Sequence, residues 1–352
     1  MQYGGVRNSA GIVNQMLRDL PLVSIVTPAY NAGRFLADTV ESVLRQDYPN
    51  IEYTVVESES TDDTHKALSR YRGRVGSISV PRLGPASAIH AGLSQARGSI
   101  LAWLNADDTY EPGAVRAAVE SFLAHPEADI VYGEAWWIDQ HGDRLRPYPT
   151  TRFHPSALAR DCIFCQPASF FRAPAYAACA LDVSLTLSFD YDLWIRMALR
   201  GCRFEHIPQS LANSRMHRGN LTLSRRGEVF DVSMALLRKY YGYVPVSWVF
   251  GYVAHRRDGR DQFFEPLRYS PWTYAASLPL GLSLNRRHAV RYFAEWAWTP
   301  VRGIGRSCSR GLARILNRPS GYGPNGSAVP SYHETPGPAQ PVAEADRPQR
   351  GK

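Results

Sequence analysis

The segment LVSIVTPAYNAG, Leu22 to Gly33, decides the architecture. Its first six residues form a near-continuous apolar run that ends at Pro28, the pattern of a strand buried on both faces. Beyond the PAYN turn, Phe35, Leu36, Val40, Val43 and Leu44 recur at helical spacing, with Asn31 and Gly33 where a helix start is expected. The alternation continues outward: a strand over Ile51 to Glu57, a Ser/Thr/Asp-rich turn, a helix through Arg72, and a short strand near Val75 to Val80. A helix near Ala86 to Ala96, the strand Ser99 to Asn105, the helix Gly113 to Ala124 and the strand Asp129 to Tyr132 complete the series. Apolar strands alternating with helices predict an α/β fold built on a mostly parallel sheet. The chain to about Thr222 is less regular but contains an amphipathic helix, Tyr191 to Arg200.

Composition agrees. A chain of 352 residues with 44% hydrophobic, 11% aromatic and 20% charged residues has ample core, which excludes global disorder. No run of about eighteen apolar residues occurs, and the first twenty residues hold no apolar signal core, so the bulk of the chain is expected in the cytoplasm. Five cysteines, with no second CxxC beside Cys162 and Cys165, read as reduced thiols rather than a zinc site. The net charge of +8 is concentrated late: Arg238 to Arg318 carries fourteen basic against four acidic residues. The final stretch, 319–352, is Pro/Gly/Ser/Ala-rich and too apolar-poor to offset ordering entropy, so a disordered tail is expected.

Open parallel sheets bind ligands beyond the carboxyl ends of their strands, and three polar clusters fall at such places. The first is ESESTDDT, Glu57 to Thr64. Its Ser/Thr/Asp portion alone reads as a helix cap, but Glu57 closes an apolar strand and needs a donor, which a nucleobase imide would supply. The second is WLNADD, Trp103 to Asp108, where Asn105, Asp107 and Asp108 crowd hard oxygen ligands suited to Mg²⁺ or Mn²⁺ or else form an acidic turn. The third, DYDLW at Asp190 to Trp194, opens the amphipathic helix, either as a complement to the helix dipole or as a source of a general base.

Seven strings stand in order from about residue 20 to 225: SIVTPAYNAGRFLADTVESVLRQDYPNIEYTVVES, STDDT, GPASAIHAGLSQARGSILAWLNADD, VYGE, CQPASFF, DYDLWIRMA and RMHRGNLT. Together they resemble a family 2 glycosyltransferase with the GT-A, Rossmann-like fold. The resemblance implies sugar transfer from a UDP-, GDP- or dTDP-sugar to a saccharide or lipid-linked saccharide, usually with inversion and with Mg²⁺ or Mn²⁺. By the same resemblance Pro28, Ala29, Tyr30, Asn31, Glu57, Ser60, Asp62, Ala88 and His90 would hold the nucleotide. Asn105 and Asp108 would face ribose and donor sugar, Gln166 the donor sugar or acceptor, Asp107 and His217 the metal. Asp190 would be the general base, with Asp192 its neighbour. The implied organisation is an N-terminal extension (1–20), a catalytic domain (21–225), a helical Arg- and aromatic-rich region (226–318) and the tail.

Several positions depart from the family pattern. Glu57 replaces an aspartate, Ser58, Glu59 and Asp63 replace glycines, His90 an asparagine and Phe189 a glutamate, while Asn105 stands where a first DxD aspartate lies. A catalytically inactive nucleotide- or glycan-binding scaffold is the competing reading, disfavoured by the retained Asp107 and Asp190. A dinucleotide-dependent oxidoreductase lacks its GxGxxG, and no nucleic-acid-binding signature accompanies the late basic charge. That charge, interleaved with aromatics, is expected either to lie against an anionic membrane surface at the cytoplasmic face, through stretches such as Val244 to Ala254 and Ala275 to Leu284, or to pack on the core or a second copy.

Overall fold

The computed structural model describes residues 20–258 and 270–299, all within one compact unit. The segments 1–19, 259–269 and 300–352 lie outside the described residues. The expected N-terminal extension and tail therefore fall outside, as do the expected helical stretch after 299 and the aromatics Phe263, Phe264 and Tyr269.

The leading strands are β1 (Val23–Ala29), β2 (Ile51–Glu57), β3 (Gly76–Ser79) and β4 (Ile100–Trp103), with α1 (Leu36–Leu44), α2 (Thr64–Ser69) and α3 (Pro85–Gln95) between them. Three parallel pairings join these strands side by side, β3 to β2, β2 to β1 and β1 to β4. There follow β5 (Thr109–Tyr110), α4 (Ala114–Ala124), β6 (Ile130–Ile138), β7 (Arg144–Pro147), α5 (Pro155–Leu158), β8 (Ser169–Arg172), α6 (Ala173–Cys179), α7 (Phe189–Leu199) and β9 (Phe204–Arg215). They extend the sheet in the order β3-β2-β1-β4-β8-β6-β9-β5, with β7 on β6. Only β6 with β9 is parallel in this half; β5, β7 and β8 pair antiparallel.

Both faces of the sheet are buried, as the near-continuous apolar strands require. Successive residues alternate between two cores: Ile25, Val55, Ile100, Ala102 and Val131 pack with α1 and α4 on one face. Val26, Val56, Leu101, Trp103, Ile130 and Tyr132 pack with α3 and α7 on the other. This is the two-residue period of a strand. Within the second core the Trp103 ring stacks on Trp194 of α7, centroids 5.6 Å apart and 9° from parallel, with both residues fully buried. Such a pair contributes about 1 kcal/mol beyond its area, and it fixes α7 against the strand that leads into Asn105.

The strand expected to stop at Tyr132 runs to Ile138. Gly133 and Glu134 interrupt its apolar run, and the pairing with β9 slips at that point before resuming to Ile138 opposite Arg215. The helical C-terminal expectation holds over the described residues: α8 (Leu221–Ser224), α9 (Arg226–Tyr241), α10 (Val246–Asp258), α11 (Pro271–Leu284) and α12 (289–299). Of the two expectations for the stretch Val244 to Ala254, membrane surface or core, the core holds: Val244, Val246, Trp248, Val249, Val253 and Ala254 are all buried. Trp248 stacks on Tyr191 of α7 and donates its indole N–H to Arg160 O at 2.7 Å. Burying large aromatics in this way removes the apolar surface that a membrane would otherwise have taken up.

Candidate active site

The parallel pairing of β1 with β2 sets the two following loops side by side, and backbone bonds knit them. Ser58 N donates to Ala29 O at 2.9 Å. Asn31, at φ 48°, donates its N–H to Ser60 Oγ at 3.0 Å and accepts Thr61 N at its Oδ1 at 2.9 Å. Asparagine tolerates this left-handed conformation. Gly33 donates to Asp62 Oδ2 at 2.9 Å, and a Cβ there would sit 2.9 Å from the Asp63 carbonyl carbon and the Thr64 nitrogen, so only glycine allows so close an approach. Burial works against the charge on Asp62, but bonds from the Thr64 hydroxyl and from the Gly33 and Thr64 N–H groups prevail and hold its pKa below the usual carboxylate value.

Glu57 is buried, and its carboxylate accepts Ser60 N at 2.6 Å and Glu59 N at 3.2 Å, with His65 Nε2 at 3.6 Å. The donor expected from a nucleobase is thus supplied in the first instance by the loop itself, leaving only the remaining lone pairs for a ligand. The exposed face of this loop pair is aromatic and cationic: the Arg82 guanidinium lies 4.0 Å over the Tyr30 ring, and Arg82 N donates to Glu59 Oε2 at 3.2 Å. Arg82 carries no sequence signal, because its partners lie 23 or more positions away. Ala88 lies on the buried face of α3, and His90 bonds through Nδ1 to the Tyr176 hydroxyl at 2.9 Å. Both residues anchor α3 to the sheet and to α6.

After β4 the chain forms the acidic turn. Asn105 Nδ2 donates to Asp108 Oδ2 at 3.0 Å and to Gln166 Oε1 at 3.1 Å, while Gln166 Nε2 donates to Trp103 O at 2.8 Å. Asp108 is buried, and its other oxygen accepts Arg215 N at 2.8 Å. Burial first, and then the neighbouring charge of Asp107, push its carboxyl well above the usual range. Asn105 thus bridges Asp108 and Gln166, whose other bonds go to Arg215 N and Trp103 O. Asp107 is the carboxylate of the turn that remains partly open, and His217 Nε2 lies 3.1 Å from its Oδ2. The His217 ring rests 4.7 Å from Phe35.

One residue organises the turn that was not among those singled out in the sequence. Arg215 is buried at the end of β9; its Nε donates to Asp107 O at 2.8 Å, its Nη2 to Asp38 Oδ2 at 3.1 Å, and its Nη1 to Asp139 O and Gln140 O at 3.4 and 3.3 Å. A planar fork with five donors can bridge four acceptors, and a lysine cannot. Arg215→Lys is expected to leave the fold intact and weaken metal-dependent nucleotide binding by about 10–100-fold, the usual worth of a group that orients a metal ligand. Calorimetric titration of the variant in Mn²⁺ checks this; unchanged affinity would reduce Arg215 to a packing role.

Two ligand groups face each other here, a carboxylate and an imidazole, and among the described residues no three His, Cys, Asp or Glu side chains converge. A small divalent cation held by one or two protein groups and completed by substrate phosphates fits that donor set. An all-protein metal cage does not.

The two aspartates of α7 behave differently. Asp192 is fully buried and its oxygens are occupied, by Arg196 Nε at 2.7 Å and the Tyr240 hydroxyl at 2.8 Å. It ties α7 to α9. Removing it leaves the Arg196 Nε and the Tyr240 hydroxyl without their acceptor, so Asp192→Ala should cost about 3 kcal/mol of stability, measurable by urea unfolding. Asp190 accepts Tyr191 N at 2.8 Å and its own backbone N–H. Part of the residue reaches solvent, yet the protein packed around the carboxyl raises its pKa by desolvation. Its charge in turn contributes to raising the Cys162 thiol, after desolvation.

The family profile described as Glycosyl transferase family 2 matches residues 24–177. Chondroitin synthase of Escherichia coli is 27% identical over 253 residues, covering 68% of this chain and 37% of that protein. An uncharacterized glycosyltransferase of Rickettsia prowazekii is 28% identical over 236 residues, 62% of this chain and 72% of that one. Among solved structures, S. aureus TarS 1-349 superposes with a TM-score of 0.51 at 13% identity, over 76% of this chain and 82% of that one. Its complex with UDP-GlcNAc gives 0.50 at 14% identity, over 76% and 72%. The chain shares the fold of TarS, and its residues 24–177 match the Glycosyl transferase family 2 profile.

Proposed function

We propose that the protein moves a sugar from a nucleotide diphosphate donor to a hydroxyl acceptor by a single inverting displacement assisted by a divalent cation. The observation that carries this reading is the pairing of Asp107 with His217 at 3.1 Å in the acidic turn after β4. TarS, which shares the fold, has been solved with UDP-GlcNAc, and this supports a UDP-, GDP- or dTDP-sugar as donor. In this reading the knitted loops of Asn31, Glu57, Ser60 and Asp62 seat the base and ribose, with the Tyr30 and Arg82 pair at the exposed side. Asp107 and His217 would hold Mg²⁺ or Mn²⁺, which supplies neutralisation of the charge that grows on the leaving diphosphate. Asn105, Asp108 and Gln166 hold the shape of the turn against the donor sugar.

Asp190 removes the proton from the acceptor hydroxyl, its raised pKa bringing it nearer that of a base working close to neutrality. No covalent intermediate is needed, so the product has the anomeric configuration opposite to the donor's. The acceptor is a growing glycan or a lipid-linked saccharide presented at the cytoplasmic face of a membrane. In this reading the catalytic domain spans 21–225, and the Arg- and aromatic-rich region begins at 226. No helix among the described residues is long and apolar enough to cross a membrane. Proton NMR of the transferred sugar tests the displacement: an inverted anomer is expected, and a retained one would overturn it.

A further inference from the structure

The helical hairpin of α11 and α12 buries one face of each helix and leaves the other in water. On α11, Tyr274, Ser277 and Gly281 are buried, while Trp272, Ala275 and Pro279, which project from the opposite side, are exposed. The helices touch where Tyr292 of α12 lies against Gly281, whose missing side chain makes the room, and where Tyr274 stacks on Trp296 at 5.0 Å. On α12, Val290, Phe293, Ala294, Ala297 and Trp298 are all exposed. Spacings of three and four residues put them on one side of the helix. Val290 is 85% exposed, Trp298 63% and Phe293 52%, and Trp272 on α11 is 81% exposed. Large apolar residues grouped this way on a surface mark an interaction site.

The charge beside this stripe selects its partner. The connection between the helices is pinned by Asn285, buried, whose Nδ2 donates to Val244 O and Gly281 O and whose Oδ1 accepts Val244 N at 2.8 Å. That fixed turn presents Arg286 and Arg287, which with Arg238 line a cleft of about 630 Å³ that has no acidic lining residue. Arg291, exposed on α12, lays its guanidinium 4.0 Å over the Tyr243 ring. The acidic residue of this hairpin, Glu295, is engaged by the Tyr243 hydroxyl at 2.6 Å.

We infer that α12, with the Arg238, Arg286 and Arg287 cleft, is an in-plane docking surface for an anionic lipid bilayer, the arginines taking headgroup phosphates and Phe293 and Trp298 entering the boundary above the acyl chains. An amphipathic helix carrying Trp and Phe on one side and cations beside it has the chemistry of an interfacial helix. The inference stands apart from the catalytic reading, because it is tested without donor or acceptor.

The test is co-sedimentation of the full chain with phosphatidylcholine vesicles, with and without phosphatidylglycerol, for the wild type, Phe293→Ser/Trp298→Ser and Arg286→Ser/Arg287→Ser. The wild type should partition onto the anionic vesicles more than about a hundredfold better than onto neutral ones, the combined effect of three arginines. The arginine variant should bind anionic vesicles about thirtyfold more weakly, a loss that raised salt imitates in the wild type. The aromatic variant should weaken binding at any salt while keeping its unfolding midpoint, since both residues are exposed. Equal partitioning of all three proteins would overturn the inference. So would pyrophosphate binding at the cleft with no vesicle binding, or a lipid-free dimer that the aromatic substitutions dissociate, which would make the surface a contact between copies.

Discussion

Replacing Asp190 by Asn should leave donor binding intact and lower sugar transfer by about two to four orders of magnitude, the usual contribution of a positioned base. The carboxyl is desolvated, so its pKa stands above the ordinary aspartate value. The acid limb of transfer in the wild type should therefore lie above the ordinary carboxylate range, with activity lost as pH falls through the raised pKa, and this limb should vanish in the variant. The sign for stability runs the other way from that of a salt-bridged aspartate. A carboxyl whose pKa is raised by folding contributes stability below its unfolded pKa, and that contribution is lost as pH rises through the folded value. At neutral pH the neutral amide relieves a penalty, so Asp190→Asn should be at least as stable as the wild type. Inactivity without destabilisation distinguishes Asp190 from Asp192, whose loss unfolds the helix contact. Near-normal turnover in Asp190→Asn would move the base to another group.

Asp107→Ala should abolish metal-dependent binding of a nucleoside diphosphate, a loss larger than the 10–100-fold carried by groups that merely orient a ligand. The fold should survive, because Asp107 is partly open to solvent and its removal relieves the like-charge repulsion on buried Asp108. Titration of the nucleotide into wild type and variant, each in Mn²⁺ and in EDTA, reads the effect directly. Affinity that ignores both the chelator and the substitution would sink the assignment of Asp107 and His217 to a metal.

Local signals carried the N-terminal half of the fold. Strand β2 has the limits that its apolar run announces, and α3, α4 and α7 begin within two residues of where their periodicity starts. Where two-sided burial ended, legibility ended too: β9 alternates buried and half-exposed residues irregularly, so FEHIPQSLANSR gives neither a clean strand period nor a helical one. The candidate site was legible as a set of acidic residues but not as a division of labour. Whether an aspartate is open or enclosed depends on partners far along the chain, as when Arg215 meets Asp108 across 107 positions and Tyr240 meets Asp192 across 48. The C-terminal aromatics illustrate the same limit, since Trp248 and Trp298 are alike in composition and opposite in burial.

The most direct test of the central claim is thermal unfolding of the full chain against a panel of UDP-, GDP- and dTDP-sugars, each with Mn²⁺ and with EDTA, followed by assay of nucleoside diphosphate release for any sugar that protects. At about 100 times its dissociation constant a donor should stabilise the protein by about 2.7 kcal/mol. Protection by at least one nucleotide sugar in Mn²⁺, its disappearance in EDTA, and release of the diphosphate by the protected protein are expected. Protection that is indifferent to the chelator, or binding without any release when acceptor glycans are supplied, would contradict that claim and return the chain to the reading of an inactive scaffold.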